Sequence, residues 1–273
     1  MPPMTAEPRV SRSIHRRMTV GESEDFPRRQ GWKHEYWDGT LHVTPAHVIV
    51  PLYLSFDWQR GKRPEPAEET LRPAREEDYP RLVDLFVRAF APTMEYVDYR
   101  LEKVRESAQR CLDRAAGKEH GRRLEASQVA EAGGELCGAA LLRQSKPGPL
   151  LDILFVDPSR HRRGLANALV HRAVRELSDA GERKLYSRVM LGNEASLAWH
   201  LEFGFRELPE PRLAGHRWRL LADELDRHRR LSDLSPTELA EREKTTAYWK
   251  RKHRCLNRLA RRKPELVYRN LDW

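Results

Sequence analysis

The run Leu150-Leu-Asp-Ile-Leu-Phe-Val156 is followed by Asp157-Pro-Ser-Arg-His161-Arg-Arg-Gly164-Leu-Ala166, and the reading of this stretch decides the fold. An apolar run bounded by Pro147-Gly148-Pro149 and Asp157-Pro158 predicts a buried strand between two turns. From Gly164 onward, Leu165, Leu169, Ala173, Val174 and Leu177 share one side of a helix that Gly181 stops. Unpaired N–H groups and the positive end of the helix dipole make such a strand-to-helix junction an anion site. Gly164 and Ala166 are small enough to let a pyrophosphate approach the main chain, and Arg162 and Arg163 add charge. Taken alone, a Gly-x-Ala after a basic loop also reads as ordinary helix-start packing.

Outward from this stretch, strands and helices alternate. Asp78 reads as the N-cap of a helix with Pro80 in its first turn and Leu82, Phe86 and Phe90 on its apolar face. A second, more charged helix is predicted from Tyr96 to Ala116. Strands are predicted at Glu125 to Ala130, Leu136 to Arg143 and Leu185 to Leu191, a short helix at Glu194 to Glu202, and two last strands at Phe203 to Leu208 and His216 to Leu221. This order is that of an α/β protein. Upstream, residues 1–30 read as a flexible arm and residues 31–66 as a small β extension with a linker. In that extension His34 to Val43 turns at Asp38-Gly39, Val48 to Phe56 supplies a third run of a small meander, and Arg60 to Glu69 is the linker. Downstream, residues 226–273 form a basic helical tail, opened by the capping box Ser235-Pro-Thr-Glu238 and continuing to about Arg262.

Composition bounds the classes open to this chain. Its 273 residues, 39% apolar and 33% charged, suffice for a real core, so disorder throughout is excluded. The longest apolar stretch, Val48 to Phe56, falls far short of the roughly 20 residues a membrane helix needs, and no secretory signal is visible, so no membrane association is expected. Cys111, Cys137 and Cys255 are odd in number and far apart, which argues against a disulfide framework or a metal site and fits a cytoplasmic protein. The net charge of +9 equals the nine basic residues between Lys244 and Lys263, where no acid stands. A polyanionic partner, nucleic acid included, therefore belongs to 244–263 alone. The same helix also reads as one leaning on the main domain through Leu239, Leu256 and Leu259.

Past Gly164 come Asn193-Glu-Ala-Ser196 and Trp199-His200-Leu-Glu-Phe-Gly204-Phe205. With the His161 to Ala166 loop, these motifs resemble those of the GNAT acetyltransferase superfamily in order and spacing, over about Thr70 to Leu225. The resemblance implies a GNAT-like α/β fold over 67–225, a mixed and mostly antiparallel central sheet flanked by helices. It further implies acetyl-CoA as cosubstrate, no metal, and direct attack of an amine acceptor on the thioester. Carried onto this sequence, the coenzyme would be held by Leu154, Val156, His161, Arg162, Arg163, Gly164, Leu165, Ala166 and Asn193. A backbone N–H at or beside Val156 would polarise the thioester carbonyl. Two departures stand out: His161 replaces the family's usual Gln or Arg, and His200 replaces the tyrosine that protonates the departing thiolate. His200 is thus the acid expected here, or else a residue that packs the last helix. Asp152 is the expected base, since a carboxylate in an apolar strand is costly unless it faces a cleft. It also reads as a turn cap or a solvent-facing residue at the strand start. The alternative function is a non-catalytic acetyl-CoA-binding module docked through the basic tail. A third is a scaffold in which the Trp32, Tyr36 and Trp37 hairpin and the tail make a homodimer.

Overall fold

Residues 13–56, 69–118 and 122–267 are described in the computed structural model. The predicted linker, apart from Glu69, and the first twelve residues of the arm lie outside the described residues. The N-terminal segment contributes β1 (Ile14–Arg17), α1 (Val20–Glu24), β2 (Trp32–Trp37), β3 (Thr40–Pro45) and β4 (Ile49–Ser55). The arm is therefore built from Ser13 onward. Its β1 pairs antiparallel with β3, and α1 starts with a capping box, Thr19 with Glu22, of the kind recognised in the tail. β1, β3 and β2 make a three-stranded sheet whose Trp32, Leu41 and Val43 are buried against Met94. The hairpin turn at Asp38 and Gly39 has φ of 50° and 67°, the pair of positive values a two-residue turn demands.

β4 does not complete that small meander. It pairs antiparallel along β9 (Lys184–Met190), from Ile49 against Met190 to Ser55 against Lys184. The reason is burial: Val50, Leu52 and Leu54 are all 0% exposed, which an isolated three-stranded sheet could not provide. The main sheet has seven strands in the order β10-β4-β9-β8-β7-β6-β5. Its other members are β5 (Thr70–Pro73), β6 (Gln128–Ala132), β7 (Glu135–Ser145), β8 (Gly148–Val156) and β10 (Arg206–Glu207). Every neighbouring pair is antiparallel except β8 with β9. The mixed, mostly antiparallel α/β sheet is the architecture the sequence implied.

Helices cover both faces. α2 (Asp78–Phe90) and α3 (Leu101–Ala115) bury Leu82, Phe86 and Leu112 against Leu141, Ile153 and Phe155. α4 (Leu165–Asp179) buries Leu169, Ala173 and Val174 against Leu142, Leu151 and Val156 on the opposite face, with Phe203 from α5 (Glu194–Phe203). Asp78 sits one residue inside α2 rather than at its N-cap. It is wholly buried, takes both guanidinium nitrogens of Arg72 at 2.7 and 2.8 Å, and accepts the Arg75 N–H at 2.8 Å. The segment Tyr96 to Arg100 precedes α3 as turns.

His216 to Leu221, predicted as a strand, lies inside α6 (Pro211–Leu231). Glu210 caps that helix by accepting the Arg212 N–H at 3.0 Å and the Leu213 N–H, and Pro211 occupies its first turn. Phe203 ends α5 and Gly204 caps it at φ 108°, so the predicted strand at Phe203 to Leu208 shrinks to β10. The tail helix α7 (Pro236–Arg262) has both halves of its predicted capping box. It lies on α6, with the Trp218 and His253 rings stacked at 5.7 Å, Arg217 over Trp249 at 4.9 Å and Lys250 over Trp218 at 5.6 Å. Among the described residues no helix is long and apolar enough to cross a membrane.

Gly31 joins the two sheets. Its φ is 77°, and a Cβ there would lie 1.8 Å from the Leu191 carbonyl oxygen at the end of β9. Gly134, in the β6–β7 turn, has a similar φ of 83° but open space around it. Gly134→Ala is expected to cost about 1–2 kcal/mol, the strain of a left-handed residue alone. Gly31→Ala, which adds a backbone collision, should lower the urea midpoint at least twice as far.

Candidate active site

The site begins with one extra residue in β8. Leu141 pairs with Ile153 and Leu142 with Leu151, so Asp152 has no partner on β7 and forms a β-bulge. The bulge turns Leu151 toward α4 while Ile153 and Phe155 face α2 and α3. On the other edge, β8 and β9 pair only at Leu150 with Tyr186 and Leu151 with Ser187. Beyond that point the two parallel strands diverge. The Asp157 N–H donates to the Cys137 carbonyl at 2.8 Å, which makes that pair a hydrogen-bonded one. By the antiparallel alternation, Phe155 and Ile153 also bond to β7, and Leu154 and Val156 turn their N–H and C=O groups the other way, into the gap left by β9.

The basic loop follows directly. Asp157 accepts the Ser159 N–H at 3.0 Å and the Arg88 guanidinium at 3.0 Å, holding a one-turn helix at Pro158–Arg160. His161 Nε2 donates to the Val156 carbonyl at 3.2 Å, so the ring ties the loop back to the strand end. Arg162 has φ 63° and Gly164 φ 82°, and no side chain caps α4. The first-turn N–H groups of α4 thus have no intrahelical partner. Arg162, Arg163 and Gly164 are exposed, and a Cβ on Gly164 would meet nothing within 4 Å, so the space before the helix is open. Leu165 is 1% exposed and its side chain belongs to the core, which leaves only its amide for a ligand. Trp199 Nε1 donates to Asn167 Oδ1 at 2.8 Å and fixes α5 on α4.

Between the diverging strands lies a cavity of about 340 Å³, lined among others by Glu95, Asp152, Leu154, Ser187, Asn193 and His200. The Asp152 side chain is 0% exposed and is surrounded by guanidiniums from three elements. Arg114 Nε of α3 lies 3.1 Å from Oδ2, and Arg188 Nη2 of β9 lies 3.2 Å from Oδ1. Arg143 Nε of β7, its side chain 5% exposed, is also 3.1 Å from Oδ2, though off the line of a hydrogen bond. Both carboxylate oxygens are therefore engaged, and Asp152 does not offer the free base that the sequence suggested.

His200 is 4% exposed, between Trp199 and Phe205. Its Nδ1 is 2.7 Å from the Ser196 carbonyl, which can only accept, so Nδ1 carries the proton. Nε2 then accepts the Ser187 hydroxyl at 2.9 Å. Burial pushes the pKa down from 6.5 to about 4, opposed only by the Ser196 bond. The ring's one proton thus lies on a backbone carbonyl, and His200 has the surroundings of the packing residue that was the other expectation for it.

Asn193 caps α5 through Oδ1, which accepts the Ser196 N–H at 3.1 Å, and its Nδ2 donates to Glu95 Oε1 at 2.8 Å. The amide is thus occupied at both ends and orients a carboxylate. Glu95 Oε2 is buried with no hydrogen-bond partner in this cavity wall. Sequence reading missed Glu95 because the turn-rich segment from Ala91 to Arg100 has no periodicity to mark it. It also missed Arg143, for which a signal existed: a guanidinium at the end of an apolar strand calls for a buried carboxylate.

Residues 79–205 match the family model described as Acetyltransferase (GNAT) family. No curated protein matches the chain. Among solved structures, the ribosomal-protein-S18-alanine N-acetyltransferase of Escherichia coli aligns at 21% identity over 50% of this chain and 76% of that chain, TM-score 0.38. The PaiA N-acetyltransferase of Thermoplasma acidophilum, in complex with coenzyme A, aligns at 18% over 50% and 89%, TM-score 0.40. A GNAT family acetyltransferase of Brucella melitensis, in complex with acetyl-CoA, aligns at 23% over 51% and 86%, TM-score 0.38. The segment 79–205 is a GNAT acetyltransferase domain, carried in a chain that adds β4 to its sheet from upstream and packs α6 and α7 beside it from downstream.

Proposed function

We propose that this chain is an N-acetyltransferase that moves the acetyl group of acetyl-CoA onto an amine by direct attack on the thioester. The observation that carries the reading is the unpaired edge of β8, where Leu154 and Val156 present backbone groups to a gap, next to the uncapped start of α4. A pantetheine amide can pair with that edge as a strand would, and a pyrophosphate can take the N–H groups from Gly164 to Ala166. Arg162 and Arg163 add charge at that end, and His161 acts through its bond to Val156 rather than on the ligand. The Leu154 or Val156 N–H is the donor for the carbonyl oxygen as it becomes an oxyanion.

Glu95 is the base in this reading, in place of Asp152. Its free oxygen accepts one proton from the acceptor ammonium, while Asn193 holds the other oxygen. The neutral nitrogen attacks the carbonyl carbon, the C–S bond breaks, and the second nitrogen proton passes to the departing sulfur as the amide forms. His200 takes no proton in this sequence of steps; it supports α5 and Ser187.

Acetyl-CoA incubated with a panel of amines should release free thiol only when an acceptor is present, with one acetamide formed per thiol. Intact coenzyme A binding without amine-dependent thiol release from any acceptor would instead favour the binding-module alternative. Gly164→Glu should abolish coenzyme A binding by calorimetry. Gly181→Glu, which carries the same strain at φ 87° with open space around it, should bind normally.

Glu95→Gln should lower kcat by roughly 10²- to 10⁴-fold, the size of a lost general base, with the urea midpoint unchanged or raised. Asp152→Asn should instead lower stability by about 3–5 kcal/mol, because it leaves guanidiniums buried without their counter-ion. His200→Phe should keep kcat within tenfold at pH 8 and alter the pH dependence of stability. Since the fold lowers the pKa of His200, its neutral form stabilises the native state fully above pH 6.5, and that contribution is lost as pH falls toward about 4. Urea midpoints at pH 7.5 and 5 should therefore differ less in His200→Phe than in the wild-type protein.

A further inference from the structure

A second cavity, of about 350 Å³, lies where α6 and α7 meet the start of β4. On α6 its wall is made by Arg212, Gly215, His216 and Arg219, spaced at three and four residues and so on one helical face. α7 contributes His253 and Asn257, one turn apart, and His47 to Ile49 close the third side. Gly215 permits this meeting: a Cβ there would lie 2.7 Å from the His253 ring. His253 Nδ1 donates to the Pro211 carbonyl at 2.9 Å, so the ring is held against the start of α6.

The chemistry of this wall is one-sided. Its one carboxylate, Glu210, is committed to the Arg212 and Leu213 N–H groups. Arg212 and Arg219 are exposed and form no ion pair among the described residues, whereas Arg217 on the neighbouring face is held bidentately by Glu207 at 2.6 and 2.7 Å. His216 Nε2 is buried without a hydrogen-bond partner. The positive charge of this wall is that of the Arg212 and Arg219 guanidiniums. Burial lowers the pKa of His216, and the Arg219 and Arg217 charges lower it further.

Ile49 lines this cavity and the Glu95 cleft as well, so the two spaces share a wall. We infer that the α6–α7 cavity receives an acidic group, carboxylate or phosphate, of the acceptor whose amine enters the Glu95 cleft. The substrate class is then an amine that carries an acid on the same molecule. Arg219 and Arg212 pair with the acid and the amine lies past Ile49. This inference rests on the acetyl-transfer reading for the chemistry at the amine, and on the cavity alone for the acid.

The test uses the full chain loaded with coenzyme A and follows the ring signals of His216 and His253 by NMR. The probes are ω-amino acids of two to six carbons against their amides, aminoalkyl phosphates against the matching amino alcohols, and inorganic phosphate. At least one acidic amine should shift both rings saturably and bind at least tenfold more tightly than its neutral twin. Arg219→Gln should remove that difference. In thiol-release assays with acetyl-CoA, the ratio of kcat/KM for the acidic and neutral members should exceed ten and fall toward one in Arg219→Gln. Ring shifts with inorganic phosphate, but equal binding and equal turnover of acidic and neutral amines, would mark a pocket for a free anion and overturn the proposal. Absence of ring shifts with every probe would overturn it too. Binding of an acidic amine without acetylation would strike the acetyl-transfer reading and leave the acid site standing.

Discussion

A carboxylate with no exposed side-chain surface, Asp152, holds the centre of this molecule together. Taking such a group out of water costs several kcal/mol unless opposite charge replaces the lost hydration. Here the replacement comes from Arg114 on α3, Arg143 on β7 and Arg188 on β9, so one ion cluster ties a helix and two strands to β8. The same residue is the bulge. Were Asp152 accommodated in the ladder, Leu151 and Ile153 would share a face, and one of the two cores would lose a side chain. Because it is extra, Leu151 joins one core and Ile153 the other, and pairing with β9 ends at Leu151, the residue before it. Charge, register and the opening of the cleft are thus consequences of one position.

The parts of the site that a sequence displays best are those built by local rules. The apolar strand, the basic loop, Gly164 and the periodic helix are contiguous, and each follows from its own neighbours, so the β8–loop–α4 unit was legible in order and within a residue or two. Asp152 was legible as an anomaly but not as the centre of an arginine cluster, because Arg114, Arg143 and Arg188 are far apart in the chain. Glu95 was illegible: it stands in a segment of turns, and only the long-range bond from Asn193 brings it to the cleft. The misread His216 to Leu221 has a local cause. His-Arg-Trp-Arg-Leu-Leu alternates over a short window, and only with Pro211 as its start and a reach to Leu231 does the helical face of Leu213, Ala214, Arg217 and Leu225 become visible. β4 shows the opposite limit. Its strand character was clear, but the choice between a small meander and the edge of β9 depends on which neighbour can bury Val50, Leu52 and Leu54.

The tail illustrates how charge counted along a chain differs from charge in space. Of the nine basic residues between Lys244 and Lys263, Lys244 pairs with Glu241, and Lys250 and Lys252 lie over the rings of Trp218 and Trp249. The first and last of these contacts lie within α7, and the Lys250–Trp218 contact, with Arg217 over Trp249 and the Trp218–His253 stack, docks α7 on α6. Docking in turn places His253 and Asn257 at the mouth of β4, so a helix that reads as an appendage completes a wall next to the cleft.

On the proposed route, the charges in the cleft also account for a histidine at position 200, where the resemblance implies a tyrosine. Arg114, Arg143 and Arg188 against Asp152 and Glu95 leave one positive charge around the cavity before reaction. When Glu95 takes the acceptor proton, the ammonium's charge passes to the cavity wall, whose excess becomes two while the total is unchanged, and it stands there when the C–S bond later breaks and negative charge gathers on sulfur. Proton transfer to Glu95 thereby keeps that positive charge in fixed protein groups, which stabilise the thiolate in a space where burial keeps the dielectric low. A leaving group held this way needs a proton only after the bond has broken, and the attacking nitrogen carries one. His200 is then free to do what its two hydrogen bonds equip it for, which is to brace α5 and Ser187 as a neutral ring beside the reacting atoms.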